Sequence, residues 1–309
     1  MNTPLKTKIG ILGFDYKNFN QFQTRVASDG FFTSNLGDNI QTIASRLLLK
    51  SIGVNESDII TINRDSISSY KGAPVNLVTN GVLFKWFFPL PANIRPIFIG
   101  VCVAEYIIKD NVDYFIQHQP VGCRDAYTDS LFKKHGVMSY ISGCVTLTLP
   151  KREKKPENGK VIIVYGDKAG AFPSRALQEI PREYLSRIEF KYQRCPHFNA
   201  PLSDQQVIHN ERYAEHLLNY YKENADLIIT PLHHAAAPCI AMNIPTILCR
   251  EKRDERFSFL ETITDIYYPD SFHAINWSAR PIDIEIIKSN FTKLLKEKIF
   301  HQDELGRIK

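Results

Sequence analysis

The chain lacks any apolar run long enough to cross a bilayer; its longest, such as Ile97–Val103 and Leu227–Thr230, are strand-sized. Its 6 cysteines (Cys102, Cys123, Cys144, Cys195, Cys239, Cys249) form no C-x-x-C pair and show no zinc-ligand spacing. They sit mostly in apolar segments, as small hydrophobes do in a reducing compartment, so no disulfide framework and no metal site are expected. Charge of one sign is also scarce. A formal net charge of +5 over 309 residues suits an anionic substrate or an anionic membrane surface, but falls short of a nucleic-acid binder. There is no internal repeat and no G-x-x-x-x-G-K loop, and Gly10 and Gly13 lack the third glycine of a dinucleotide fingerprint. The opening Met1–Lys8 is polar and carries no secretory signal, so a cytoplasmic location is expected.

What is present is ordinary globular material, 44% hydrophobic and 23% charged, in a length that suits two α/β domains of ordinary size or one large one. Short apolar strands alternate with helices. Strands are expected at Lys8–Leu12, Asp58–Ile62, Val75–Val78, Ile97–Gly100, Tyr114–Gln117 and Ser139–Ser142. Asp38 with Gln41 has capping-box spacing ahead of Ile40, Ile43, Ala44, Leu47 and Leu48, and Gly53 closes that helix. A second helix runs from Ala126 to His135, closed by Gly136. The charged segment Pro150–Lys160, with two prolines and a glycine, is a linker candidate between domains 1–150 and 151–309. Beyond it the pattern restarts at Lys160–Val164, with a strand at Leu185–Phe190, an amphipathic helix at Asn210–Asn224, and strands at Leu227–Thr230 and Thr246–Cys249. A lysine-rich helix, Pro281–Phe300, ends the pattern and is placed to pack across both domains. The fold class is therefore α/β, two doubly wound parallel-sheet domains facing a cleft, with a C-terminal helix.

Several clusters could carry chemistry. His233 and His234 lie in a turn between a buried strand and an Ala-rich helix, the carboxyl-end position where open α/β sheets bind ligands. A histidine there can act as acid or base near neutral pH, or simply satisfy backbone groups in the turn. Pro238 is placed within the first turn of the following helix. Asn35, Gly37, Asp38 and Asn39 deliver a glycine loop into a helix amino end suited to an anion or polar sugar, though Asp38 is equally accounted for as a cap. Arg124 in Gly122-Cys123-Arg124-Asp125 ends a strand with its fork toward the cleft mouth, suited to carboxylate or phosphate. Thr146, in the small-residue stretch from Ser142, closes the first domain. The run Arg250–Arg256 is either an anion clamp or a self-neutralising surface.

Three blocks in order, NLGDNIQ near 35, GCRDAYT near 124 with SGCVTLTL after it, and LIITPLHHAAAPCIAMNIPTIL near 234, resemble the polysaccharide pyruvyl transferase family. The resemblance runs from about Lys8 to Trp277. It implies a GT-B-like pair of Rossmann-like domains, with acceptor on the first and donor on the second. It further implies transfer of the pyruvyl unit of phosphoenolpyruvate, with no cofactor, to a sugar or lipid-linked glycan acceptor. Arg124 then meets the phosphoenolpyruvate anion and His234 is the acid, with Lys252, Arg253 or Arg256 as a further cation. The family's arginine two places before the histidine is Leu232 here and its intervening leucine is His233, so a shifted alignment makes His233 the acid. The alternatives are a glycosyltransferase using a nucleotide sugar and a non-catalytic sugar-binding subunit. Oligomeric state and peripheral contact with the inner membrane face, through the lysines of the last helix, stay open.

Overall fold

The computed structural model describes residues 7–18 and 20–300 of the chain, so most of the polar opening Met1–Lys8 lies outside the described residues. Thirteen strands occur among the described residues: β1 (Lys8–Gly13), β2 (Phe32–Asn35), β3 (Ile59–Asn63), β4 (Val75–Leu83), β5 (Ile94–Val103), β6 (Val121–Cys123), β7 (Ser139–Ile141), β8 (Lys160–Tyr165), β9 (Ile188–Tyr192), β10 (Arg194–His197), β11 (Ala225–Thr230), β12 (Thr246–Cys249) and β13 (Ile266–Tyr267).

Eleven of them form two all-parallel sheets, ordered β3-β1-β4-β5-β6-β7 and β13-β12-β11-β8-β9, and β10 pairs antiparallel with β2. Within each sheet the first strand has the second on one side and the third on the other. Chain direction across the sheet therefore reverses between β1 and β4, and again between β8 and β11. Ligands of open α/β sheets bind outside the carboxyl ends at such reversals.

Alternation along the strands sets the layers, because successive side chains face opposite ways. In β5, Ile97 and Ile99 enter one core while Phe98 enters another, and an irregularity at Gly100 (φ 74°) turns Val101 to the side of Phe98. In β8, Ile162 and Val164 enter the same core as Ile97, while Val161 and Ile163 enter a third. One face of each sheet thus feeds a common core, which also takes in residues of the helices Leu36–Ser51, Asp204–Asn224, His233–Ala241 and Glu285–Phe300. The two halves are clasped by shared apolar burial, the main driving force available for holding them together.

Most expected elements are present, with instructive exceptions. Tyr114–Gln117 is not a strand but belongs to a helix, Val112–Gln117. Of its aromatics only Phe115 is fully buried, packed on Phe88, Phe98 and Phe132, so one-sided burial overrides its strand-like composition. The strand expected at Leu185–Phe190 begins later, at Ile188, after a 3-10 turn over Arg182–Arg187. The expected cap at Asp38 is displaced: Asn35 is the N-cap, accepting from the Gly37 N–H at 3.1 Å. The helix Asn20–Asp29 and the antiparallel pair β2–β10, which joins the two halves of the sequence, had no sequence counterpart.

The last helix packs Phe291, Leu295 and Ile299 inward and does reach both halves. Lys288 donates to the Ala241 carbonyl (2.8 Å) and Lys298 to that of Pro120 (3.0 Å), so two of its lysines serve as braces rather than as a surface charge. Among the described residues no helix is long and apolar enough to cross a membrane.

Candidate active site

Both strand-order reversals open onto one cleft of about 220 Å³. Val82 near the end of β4 contributes from the first sheet, with Asn35 and Asp38 at the amino end of the helix Leu36–Ser51 and Arg124 after β6. From the second come Gly166 and Asp167 after β8, Pro231 to His234 after β11, Arg250 after β12, then Arg256 and Phe257. His234 and Arg124, 110 positions apart in sequence, therefore face a shared space.

The histidine turn is built by its strand and its proline. Thr230 donates through its hydroxyl to the Val164 carbonyl (2.7 Å) and accepts from the Leu232 N–H (3.0 Å), fixing the exit from β11. Pro238 lies inside the helix His233–Ala241 rather than in its first turn. Its missing N–H is the one that would bond the His234 carbonyl four residues back. That carbonyl accepts instead from the Gln193 side-chain amide (3.0 Å), and His234 leaves helical geometry at φ −86°, ψ 17°. Proline thus frees the backbone at His234, and Gln193, held by the Tyr221 hydroxyl (3.3 Å), fixes it.

His234 packs against the first half. A Cβ at Gly37 would lie 2.7 Å from the His234 Cβ, so only glycine lets this helix start approach the ring. The His234 Nδ1 lies 4.0 Å from the Cys144 Sγ, which accepts from the Thr146 hydroxyl at 3.1 Å. His233 sets its ring edge-on to Phe257, at 5.3 Å between centroids, and its Nδ1 has no partner among the described residues.

Three arginines surround the pair. Arg124 is 3% exposed; its backbone N–H bonds the Val101 carbonyl, and its Nε, 3.7 Å from Asp125, makes no hydrogen bond among the described residues. Asp125 caps the helix Ala126–Lys134 through the Thr128 N–H (2.8 Å). Arg250 is buried, donates to the Pro231 carbonyl (2.5 Å) and stacks on Phe257 at 3.9 Å. Arg256 makes a two-point pair with Asp254 at 2.9 and 2.5 Å. Burial, then Arg124 and Arg256, pull the His234 pKa down to about 3. Burial, then His234 and the three arginines, pull that of His233 well down. Both imidazoles are neutral at pH 7 while no anion is bound.

The profile of the polysaccharide pyruvyl transferase family matches residues 35–253, more than half of the chain. The chain belongs to that family. Membership makes this polysaccharide pyruvyl transferase family protein a transferase. A crystal structure titled as that of a functional uncharacterized protein from Klebsiella pneumoniae subsp. pneumoniae NTUH-K2044 is similar at 11% identity and a TM-score of 0.46, covering 82% of this chain and 88% of that one. No curated protein matches the chain.

Several residues expected in the site lie off the cleft wall of this family member. Lys252 is exposed and offers only its carbonyl, which accepts from Arg250. Arg253 is held over the Tyr268 ring at 4.3 Å. The turn after β12 sends Arg250 inward and these two outward. Thr146 is wholly buried and reaches the site only through Cys144, while Asn39 is buried behind the helix start. Sequence reasoning did not select Asp167, Gln193 or Arg194, and it named Arg250 only as the first cation of the run Arg250–Arg256. Asp167 had a legible signal, the polar turn after the first strand of the second half. Arg194 had none, because antiparallel pairing with β2 brings it to the cleft, where it donates to the Thr33 carbonyl (2.6 Å) and pairs with Asp167 (2.9 Å).

One grouping was invisible in the sequence: ligand atoms of Cys144, His233 and His234 lie within 4.8 Å of one another. One thiol and two neutral imidazoles are a donor set for a soft cation. The three arginines around the histidines oppose a dication there.

Proposed function

We propose that the protein moves the pyruvyl unit of phosphoenolpyruvate onto two hydroxyls of a polysaccharide sugar or its precursor, giving a cyclic ketal and phosphate. The observation that carries this is the placement of Arg124, Arg250 and Arg256 around His234 in one small cleft. Three guanidiniums suit a ligand bearing both carboxylate and phosphate. Binding that anion offsets the field that keeps His234 neutral, so the ligand itself raises the imidazole pKa and recruits the proton. His234 is preferred over His233 as the acid because it is the ring seated between the halves, against Gly37 and Cys144.

In the mechanism, His234 delivers its proton to the methylene carbon of phosphoenolpyruvate, and C2 becomes electrophilic. A sugar hydroxyl adds to C2 and gives up its proton. The C2–O bond to phosphate then breaks, with the arginines taking up the charge on the departing oxygens. A second hydroxyl closes the ring, and its proton leaves with the phosphate. One hydroxyl proton therefore replaces that spent on the methyl group, and the other ends on phosphate. Residues 1–150 supply Arg124 and residues 151–309 supply the other cations and the acid, so both halves hold the donor.

Three arginines lining one cleft of about 220 Å³ support a small donor that carries both carboxylate and phosphate. Incubation with phosphoenolpyruvate and p-nitrophenyl hexosides should release phosphate and leave acid-labile pyruvate on the sugar. Consumption of a UDP- or GDP-sugar, with phosphoenolpyruvate untouched, would replace this function with glycosyl transfer.

A further inference from the structure

Ketal formation needs a group to remove hydroxyl protons as well as one to supply a proton, and the cleft holds a carboxylate on the opposite wall from the histidine turn. Asp38 follows Gly37, the residue in contact with His234, and lines the same cleft. It is not occupied with capping its helix, since Asn35 does that. Its Oδ2 accepts from the Tyr16 hydroxyl at 3.1 Å, and its Oδ1 lies 3.4 Å from the Asn35 amide nitrogen.

Tyr16 is in turn held in place. It is 5% exposed, and its backbone N–H donates to the Asp65 Oδ2 at 3.2 Å. Asp65 pairs with the buried Arg64 at 2.9 Å, and Arg64 is set over the rings of Phe14 (4.6 Å) and Phe84 (4.9 Å). Burial, then the Asp38 charge, push the Tyr16 phenol well above its ordinary value, so it stays protonated and donates. The Asp38 carboxylate, held by the phenol on Oδ2 and by the Asn35 amide on Oδ1, lines the cleft with lone pairs to spare on each oxygen.

We propose that Asp38 is the base that takes the acceptor hydroxyl proton, and that Tyr16 is the residue that positions it. The proposal rests on pyruvyl transfer being the activity. The hydroxyl O–H bond breaks toward the Asp38 carboxylate as its oxygen bonds to C2, while the proton added to the methylene comes from His234. The base then returns its proton through solvent to His234, replacing the one spent on the methyl group, before the second hydroxyl closes the ketal and gives its proton to phosphate.

The test measures phosphate release from phosphoenolpyruvate with p-nitrophenyl hexosides, alongside calorimetric binding of phosphoenolpyruvate alone. Asp38→Asn should lower turnover by about 10²–10⁴-fold, the usual worth of a general base, while donor affinity changes by less than about threefold. Formate should restore turnover about tenfold or more in Asp38→Ala and leave the wild type unchanged, which a merely structural carboxylate would not do. Tyr16→Phe should lower kcat about tenfold at unchanged KM for phosphoenolpyruvate. Wild-type-like turnover in Asp38→Asn would overturn the base while leaving pyruvyl transfer standing. A wild type that neither binds nor consumes phosphoenolpyruvate would overturn the function, and the base with it.

Discussion

Gly37 and His234 meet across the two halves of the chain so closely that a single added carbon at Gly37 would lie 2.7 Å from the His234 Cβ. The helix start carrying Asn35 and Asp38 and the turn carrying the histidines are thereby locked to one another. The proposed function depends on that contact, because the proposed acid His234 comes from one half and Arg124 from the other.

Gly37→Ala therefore tests the contact. Overpacking of this kind costs about 1–3 kcal/mol, and relief requires the ring or the helix start to move. The expected outcome is a thermal midpoint lowered by a few degrees and turnover lowered at least about tenfold, read by calorimetry and phosphate release. Turnover at the wild-type level would show that the ring's position is not set here.

Arg124→Lys should fail to substitute. The guanidinium is buried with an unpaired Nε, and a lysine offers neither the planar fork nor the same reach. Loss of a charge-assisted hydrogen bond to the donor, about 1.5–3 kcal/mol, corresponds to phosphoenolpyruvate affinity weakened roughly 10- to 100-fold. Titration calorimetry measures it directly.

The depressed histidines predict a proton signature. Burial and the Arg124 and Arg256 charges pull the His234 pKa down to about 3. Donor binding should then take up protons at pH 7, and donor affinity should strengthen as pH falls toward 6. Titrations in buffers of different ionisation enthalpy read the uptake. The same shift has a stability consequence of fixed sign. The unfolded histidine titrates near 6.5, so the stability present above that pH is lost as pH falls toward about 3. His234→Gln should flatten this acid limb of the thermal midpoint.

Asn35→Ala should cost about 0.5–2 kcal/mol, as loss of an N-cap does. Asp38→Asn should leave the thermal midpoint nearly unchanged. The reverse ranking in thermal melts would restore Asp38 as the cap.

Chelation separates the soft-cation grouping from the reaction. The arginine field disfavours a dication among Cys144, His233 and His234, so exhaustive treatment with EDTA should leave the rate of transfer unaltered. A rate that collapses on chelation and returns with zinc would assign those three residues a metal.

Much of this architecture was legible because apolar alternation is local. Lys160–Val164, Leu227–Thr230 and Thr246–Cys249 read directly as buried parallel strands, and Gly53 and Gly136, both with positive φ (95° and 74°), marked helix ends. His234, Arg124 and Asp38 were legible for the same reason, each lying where a strand hands over to a helix. What failed was non-local. Arg194 reaches the cleft by pairing across the two halves, and Cys144 meets the histidines only through packing. The choice among the cations after β12 depended on which way one turn points, which sequence spacing does not specify. Asp38 was misplaced as the cap because Asn35, three positions earlier, competes for the same role with an equally suitable side chain.

Titration of phosphoenolpyruvate into the wild type and Arg124→Met, compared with UDP- and GDP-sugars, tests the central claim most directly. The account predicts saturable heat with phosphoenolpyruvate, weakened at least about tenfold in the variant, and none with the nucleotide sugars. Heat from the nucleotide sugars alone, or phosphoenolpyruvate binding indifferent to Arg124, would contradict it.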